Sequence, residues 1–136
     1  MTPATPEDRE LQVVLEVPGR TASQLYAKTL AWMAETFVSS KAVIELQDKE
    51  NAKIIGHGRT SFTNVIAVIP CEYTLIAEMK DGRVRLTFKD FVGQWGEYHN
   101  HPVPVEEAGF AREVKQNLAP LSKSLEGYLT KPETKW

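Results

Sequence analysis

Lys80-Asp81-Gly82-Arg83-Val84-Arg85-Leu86-Thr87-Phe88-Lys89 holds a turn and a complete strand in one short stretch. Asp81-Gly82 is the strongest short-range signal for a two-residue type I′ hairpin. After it, Val84, Leu86 and Phe88 alternate with Arg83, Arg85, Thr87 and Lys89, so one face of this strand is core and the other meets solvent. A hairpin needs a partner on the other side of its turn. Val65 to Met79 supplies one, a long strand expected to bend near Pro70.

Upstream, the same period-two logic gives a strand over Lys53–Phe62, a polar turn at Asp48-Lys49-Glu50-Asn51 and a strand over Ala42–Gln47. Gly56 and Gly58 flank His57 inside the middle strand, where missing side chains signal a bulge or a close approach by another backbone. Nearer the start, Leu11, Val13, Leu15 and Val17 alternate with Gln12 and Glu16, and Pro18-Gly19 ends that strand. Thr21 and Gln24 fit a capping box, and the pattern then turns helical. Ala22, Leu25, Tyr26, Thr29, Leu30, Met33 and Phe37 share one helix face, with Trp32 at its edge as a core residue.

Downstream, Gly93 to Pro104 carries two glycines and two prolines without a sustained period and reads as a long loop over 93–104. Helical spacing returns in Ala111, Val114, Leu118, Leu121, Leu125 and Leu129. Pro120 falls inside this stretch at a cost of about 3 kcal/mol. The apolar stripe keeps its phase across it, which predicts one kinked helix over 105–130.

The fold class is therefore α+β: strand, helix, four strands, helix, with a five-stranded antiparallel sheet and both helices on one face. The other face is expected to be wet or used for contact. The 136 residues suit a single domain over 1–136, with 1–9 as a flexible tail.

These residues also resemble a known family. Glu16-Val17-Pro18-Gly19-Arg20-Thr21-Ala22-Ser23-Gln24-Leu25-Tyr26, Ser40 to Glu50 followed by Ile54-Ile55-Gly56-His57-Gly58, Tyr73-Thr74-Leu75 and Lys80 to Arg85 are similar to a bacterial domain family of unknown function. That family has a fold like the TATA-box-binding protein (TBP-like). The resemblance covers roughly residues 13–92. It implies strand order 1-5-4-3-2 with both helices on the convex face, and an exported, periplasmic or secreted setting. It assigns no catalytic residue.

Composition narrows the function classes. Sixteen Lys and Arg against eighteen Asp and Glu give a net charge of -2, mixed along the chain, which argues against a nucleic-acid partner. No apolar run approaches the roughly 20 residues that span a bilayer, and the first residues lack an export signal. The single Cys71 cannot form an internal disulfide, and its apolar neighbours make it a buried filler rather than a reactive thiol. Phosphate-loop, nucleophile-elbow and His-Glu-x-x-His signatures are missing, so a noncatalytic protein without a cofactor is favoured over an enzyme.

Three constellations remain. His57 and Arg59 on one strand, with Arg83, Arg85 and Lys89 on another, are spaced to share the open sheet face with Lys53. They form either a solvated face neutralised by Glu16, Glu72 or Glu78, or a surface for an unknown protein or a small anionic ligand. Trp95, placed in the long loop, either pins that loop or anchors a partner. Glu97, His99 and His101 would lie on one side of an extended segment and could hold a divalent metal, although short His-x-His pairs in such loops are usually solvated. The leading expectation is a noncatalytic binding or scaffolding domain using its open sheet face. The alternative is a metal-binding protein or metal-dependent hydrolase built on Glu97, His99 and His101. Trp136 ends a polar tail.

Overall fold

The computed structural model of the protein describes residues 2–37 and 43–131; Ala42 and Trp136 lie outside them. Its elements are β1 (Leu11–Glu16), α1 (Ala22–Thr36), β2 (Val43–Asp48), β3 (Lys53–Thr63), β4 (Val68–Lys80), β5 (Arg83–Trp95), β6 (His101–Pro104) and α2 (Ala108–Thr130). The strands form one antiparallel sheet in the order β1-β5-β4-β3-β2, and β6 pairs with the second half of β5 beyond the end of β1.

Alternation sorts the side chains. On β4, Ile69, Cys71, Tyr73, Leu75, Ala77 and Met79 are buried, and on β5 so are Val84, Leu86 and Phe88. They meet Leu25, Tyr26, Trp32 and Met33 of α1 and Ala111, Val114, Leu118, Leu125 and Leu129 of α2. The capping box of α1 is formed: Gln24 N–H donates to Thr21 Oγ1 at 3.2 Å and Thr21 N–H to Gln24 Oε1 at 3.0 Å. Trp32 Nε1–H donates to Ser124 Oγ at 3.1 Å, which ties the two helices together. The helix α2 runs unbroken through Pro120, which stands on its exposed side, and buried residues keep helical phase on both sides of it.

Residues 93–104, expected to be a loop, instead extend β5 and add a sixth strand. Trp95 pairs with His101 and Val92 with Pro104 across a short turn at Gly96. Pro102 and Pro104 suggested a loop because proline cannot donate to a ladder, but β6 is an edge strand, where that donor is not needed. The start of the chain is not a loose tail. Ala4 N–H donates to Glu106 O at 2.6 Å and Ala108 N–H to Thr2 O at 2.9 Å. Glu107 makes no side-chain cap bond, so the first residues satisfy the amide of the buried Ala108 at the start of α2.

The Asp81-Gly82 turn forms, but not as type I′. Gly82 has φ +78°, whereas Asp81 is not among the described non-glycine residues with positive φ. The turn is held from outside: Val17 N–H donates to Gly82 O, Gly82 N–H to Arg20 O, and Ala22 N–H to Asp81 Oδ1 at 2.7 Å. These bonds lock the hairpin onto the start of α1 and override its local preference.

The glycines beside His57 mark shape, by a route sequence did not name. The β3–β4 register is regular, and the irregularity lies on β2 between Ile44 and Leu46, opposite Gly56. What approaches Gly58 is the side chain of Tyr73, its partner on β4: a Cβ there would sit 2.5 Å from Tyr73 Cζ. Gly58→Ala is therefore expected to lower stability by about 1–3 kcal/mol through overpacking. Gly127→Ala, where nothing lies within 4 Å inside α2, is expected to raise it by about 0.5–1 kcal/mol. Urea unfolding of both variants checks the contrast, and a loss of equal size at both positions would refute the Tyr73 explanation.

The β2–β3 turn gives a pH prediction. Asn51 donates from Nδ2 and from its backbone N–H to Asp48, and these bonds hold the Asp48 carboxyl below its usual value of 3.8. A depressed folded-state value stabilises fully above the unfolded value, and that contribution is lost as pH falls through the folded one. Between about pH 5 and about pH 2 the urea midpoint is expected to fall less steeply in Asp48→Asn than in the wild type.

Candidate functional site

The even-numbered side chains of β4 and their neighbours form the uncovered face of the sheet, and no described element packs across it. The register places them in rows. One row runs Gln12, Thr87, Ile76, Ile55 and Leu46 across all five long-path strands, and it is mostly apolar. Leu46 is 41 % exposed at one edge, and Val14 is 51 % exposed at the other.

Charged pairs border this row. On one side Arg85 Nη2 meets Glu78 Oε1 at 3.0 Å. On the other, Arg59 Nη2 meets Glu72 Oε1 at 3.0 Å, while Glu72 Oε2 accepts from Gln94 Nε2 at 3.0 Å. Each pair is about half exposed, so each is worth about 0–1 kcal/mol and serves more to neutralise the face than to stabilise it.

His57 lies between Arg59 and the apolar row. Its Nε2 contacts the Glu45 carboxylate on β2, and its Nδ1 faces Thr74 Oγ1 on β4 at 3.2 Å. Carboxylate, imidazole and hydroxyl thus form a chain across three strands. A similar order of groups activates nucleophiles elsewhere, but here the imidazole is close to half exposed, so water competes for each contact. The chain reads as a cross-strand ladder that fixes the His57 ring.

His57, Arg59, Arg83, Arg85 and Lys89 thus share the open face. Arg59 and Arg85 are engaged by carboxylates there, as Glu72 and Glu78 suggested. Trp95 is not with them. An extra residue in β5, with Asp90 at φ +54°, shifts the strand's phase between the Thr74–Lys89 and Glu72–Val92 pairs. Trp95 therefore points to the helix side, where its ring lies 5.7 Å from Phe62 and 6.1 Å from Phe110. It pins the hairpin, and the apolar row of Ile55 and Ile76 was the part of the face that sequence reading missed. Its signal was present as two apolar residues at open-face positions on neighbouring strands.

Cys71 is fully buried, and burial pushes its thiol up to about 12, in keeping with an inert filler.

The cluster that the alternative metal reading requires does not assemble among the described residues. Glu97 lies in the turn and His99 has φ +51°, so the alternation that would align Glu97, His99 and His101 is broken. No group of three or more potential metal-ligating side chains occurs among the described residues. Calorimetric titration with zinc is expected to show no stoichiometric binding tighter than micromolar, and a tight site lost in His99→Ala would contradict this.

Comparisons bear on the fold rather than on the site. No curated protein matches the chain. Two solved structures are similar over nearly its whole length. A DUF4468 family protein from Bacteroides ovatus has TM-score 0.76 and 12% identity, covering 98% of this chain and 94% of that one. A TBP-like protein from Parabacteroides distasonis has TM-score 0.73 and 11% identity, covering 91% of this chain and 94% of that one. At such identities the likeness is one of fold. Residues 12–94 match the family described as a domain of unknown function (DUF4468) with TBP-like fold, and the chain belongs to that family.

Proposed function

We propose that the domain is a noncatalytic binding or scaffolding module that docks a protein on the open face of its sheet. The carrying observation is the row of Leu46, Ile55, Ile76 and Thr87, apolar at its centre and bordered by the Arg59–Glu72 and Arg85–Glu78 pairs. An apolar centre with a polar rim is the anatomy of a protein interface. A small anion is the weaker reading, because three of the five candidate basic groups, His57, Arg59 and Arg85, already contact carboxylates and would have to exchange them. Arg83 and Lys89 then supply charge at the border of the docking surface.

A photo-crosslinking residue at Ile76, introduced in the native host, tests this. A discrete adduct is expected at Ile76 and none at Ala119, which is exposed on α2. Ile76→Asp is expected to weaken binding of the captured partner by about tenfold or more, as for a central interface residue. Equal labelling at both positions, or no adduct at Val14, Ile55 or Ile76, would overturn the reading.

A further inference from the structure

The β3–β4 hairpin ends in Asn64-Val65-Ile66-Ala67, and its two large apolar side chains stand in solvent. Val65 is 101% exposed and Ile66 90%. This exposure is built into the turn. Asn64 Oδ1 accepts from Ile66 N–H at 2.9 Å and Ala67 N–H at 2.7 Å, and Asn64 N–H donates to Ala67 O at 3.0 Å. Below the turn, Thr63 donates from N–H and Oγ1 to the Glu113 carboxylate of α2 at 2.6 and 2.8 Å, and Asn117 Nδ2 donates to Ser61 O at 2.8 Å. Polar contacts thus hold the base of the hairpin and present a fixed apolar tip, so little conformational freedom is lost when it is buried.

A cavity of about 640 Å3 opens beside that base, with Asn64 in its wall. Its lining is mainly apolar: Phe62, Trp95 and Phe110, with Val103, Val105 and Pro3. Phe62 and Phe110 stack at 4.7 Å, so the aromatic wall is set before anything enters. A preformed cavity of this size suits bulky apolar groups.

Tip and cavity adjoin on one copy, which is the arrangement a two-fold axis converts into reciprocal exchange. Each copy then offers what the other lacks, and the contact closes on itself without leaving a free end. From this we infer that the protein self-associates, with Val65 and Ile66 of each copy filling the aromatic cavity of the other. The site is incomplete in a single copy. It lies apart from the row of Ile55 and Ile76 and does not depend on what that face docks.

Sedimentation equilibrium of the full chain tests this. The mass is expected to rise with concentration from 15.3 kDa toward twice that value. Ile66→Asp, at an exposed turn position, is expected to weaken association by about tenfold or more. Val103→Asp, which alters the cavity and leaves the tip intact, is expected to do the same. Circular dichroism checks that both variants fold, and a concentration-dependent blue shift of tryptophan emission gives a variant-free reading of cavity filling. Wild-type protein that stays at 15.3 kDa overturns the inference. So does a dimer indifferent to either substitution. Monomeric wild type that binds phosphatidylcholine vesicles through Ile66 would give the tip to lipid instead and overturn it as well.

Discussion

Burial of one side of β4 beneath the two helices is the constraint on which the rest of the structure depends. Ile69, Cys71, Tyr73, Leu75, Ala77 and Met79 all lie under the helices, and β4 is the middle strand of the β1-β5-β4-β3-β2 order. A one-residue slip would turn this set to solvent and bring Glu72, Thr74 and Glu78 into the core, so the register is strongly specified. The neighbouring strands inherit that register. It fixes Gly58 beneath the Tyr73 ring, which is why β3 carries no side chain at that point.

The same constraint prepares the open face. Side chains that cannot enter the core gather on the other side, and hydrogen-bonding register decides which of them meet. Arg59 finds Glu72, Arg85 finds Glu78, and Glu45 and Thr74 find His57 from either side. The result is a nearly neutral border around a weakly apolar centre. Such a face projects little long-range field, in keeping with the chain's small net charge of -2.

The far end of the sheet follows different rules. There the extra residue at Asp90 rotates β5 by one position, and this sends Trp95 inward beside Phe62 and Phe110 while Gln94 turns outward to Glu72. The first residues of the chain close over the start of α2 at the same end. An aromatic wall and the capped helix end are thus brought together by a single bulge and one terminal segment. The family match and the similar structures account for this architecture and leave its use open, since a shared fold does not carry function with it.

Period-two alternation in β1 and β5, the capping box at Thr21 and the helical stripe of α2 were legible because each is a local pattern repeated along the chain. They determined the α+β class, the element order through β5 and which strand positions bring basic side chains to the open face. Tertiary structure alone decided what depends on residues far apart in sequence. Edge position let Pro102 and Pro104 form β6, and contacts to Val17, Arg20 and Ala22 reset the Asp81-Gly82 turn. The Asp90 bulge moved Trp95 away from the face its neighbours share, and the turn that gives His99 a positive φ dispersed the Glu97, His99 and His101 set. Pattern reports which face a side chain prefers, whereas pairing register and backbone irregularity decide which side chains meet, and those are set only when distant segments pack.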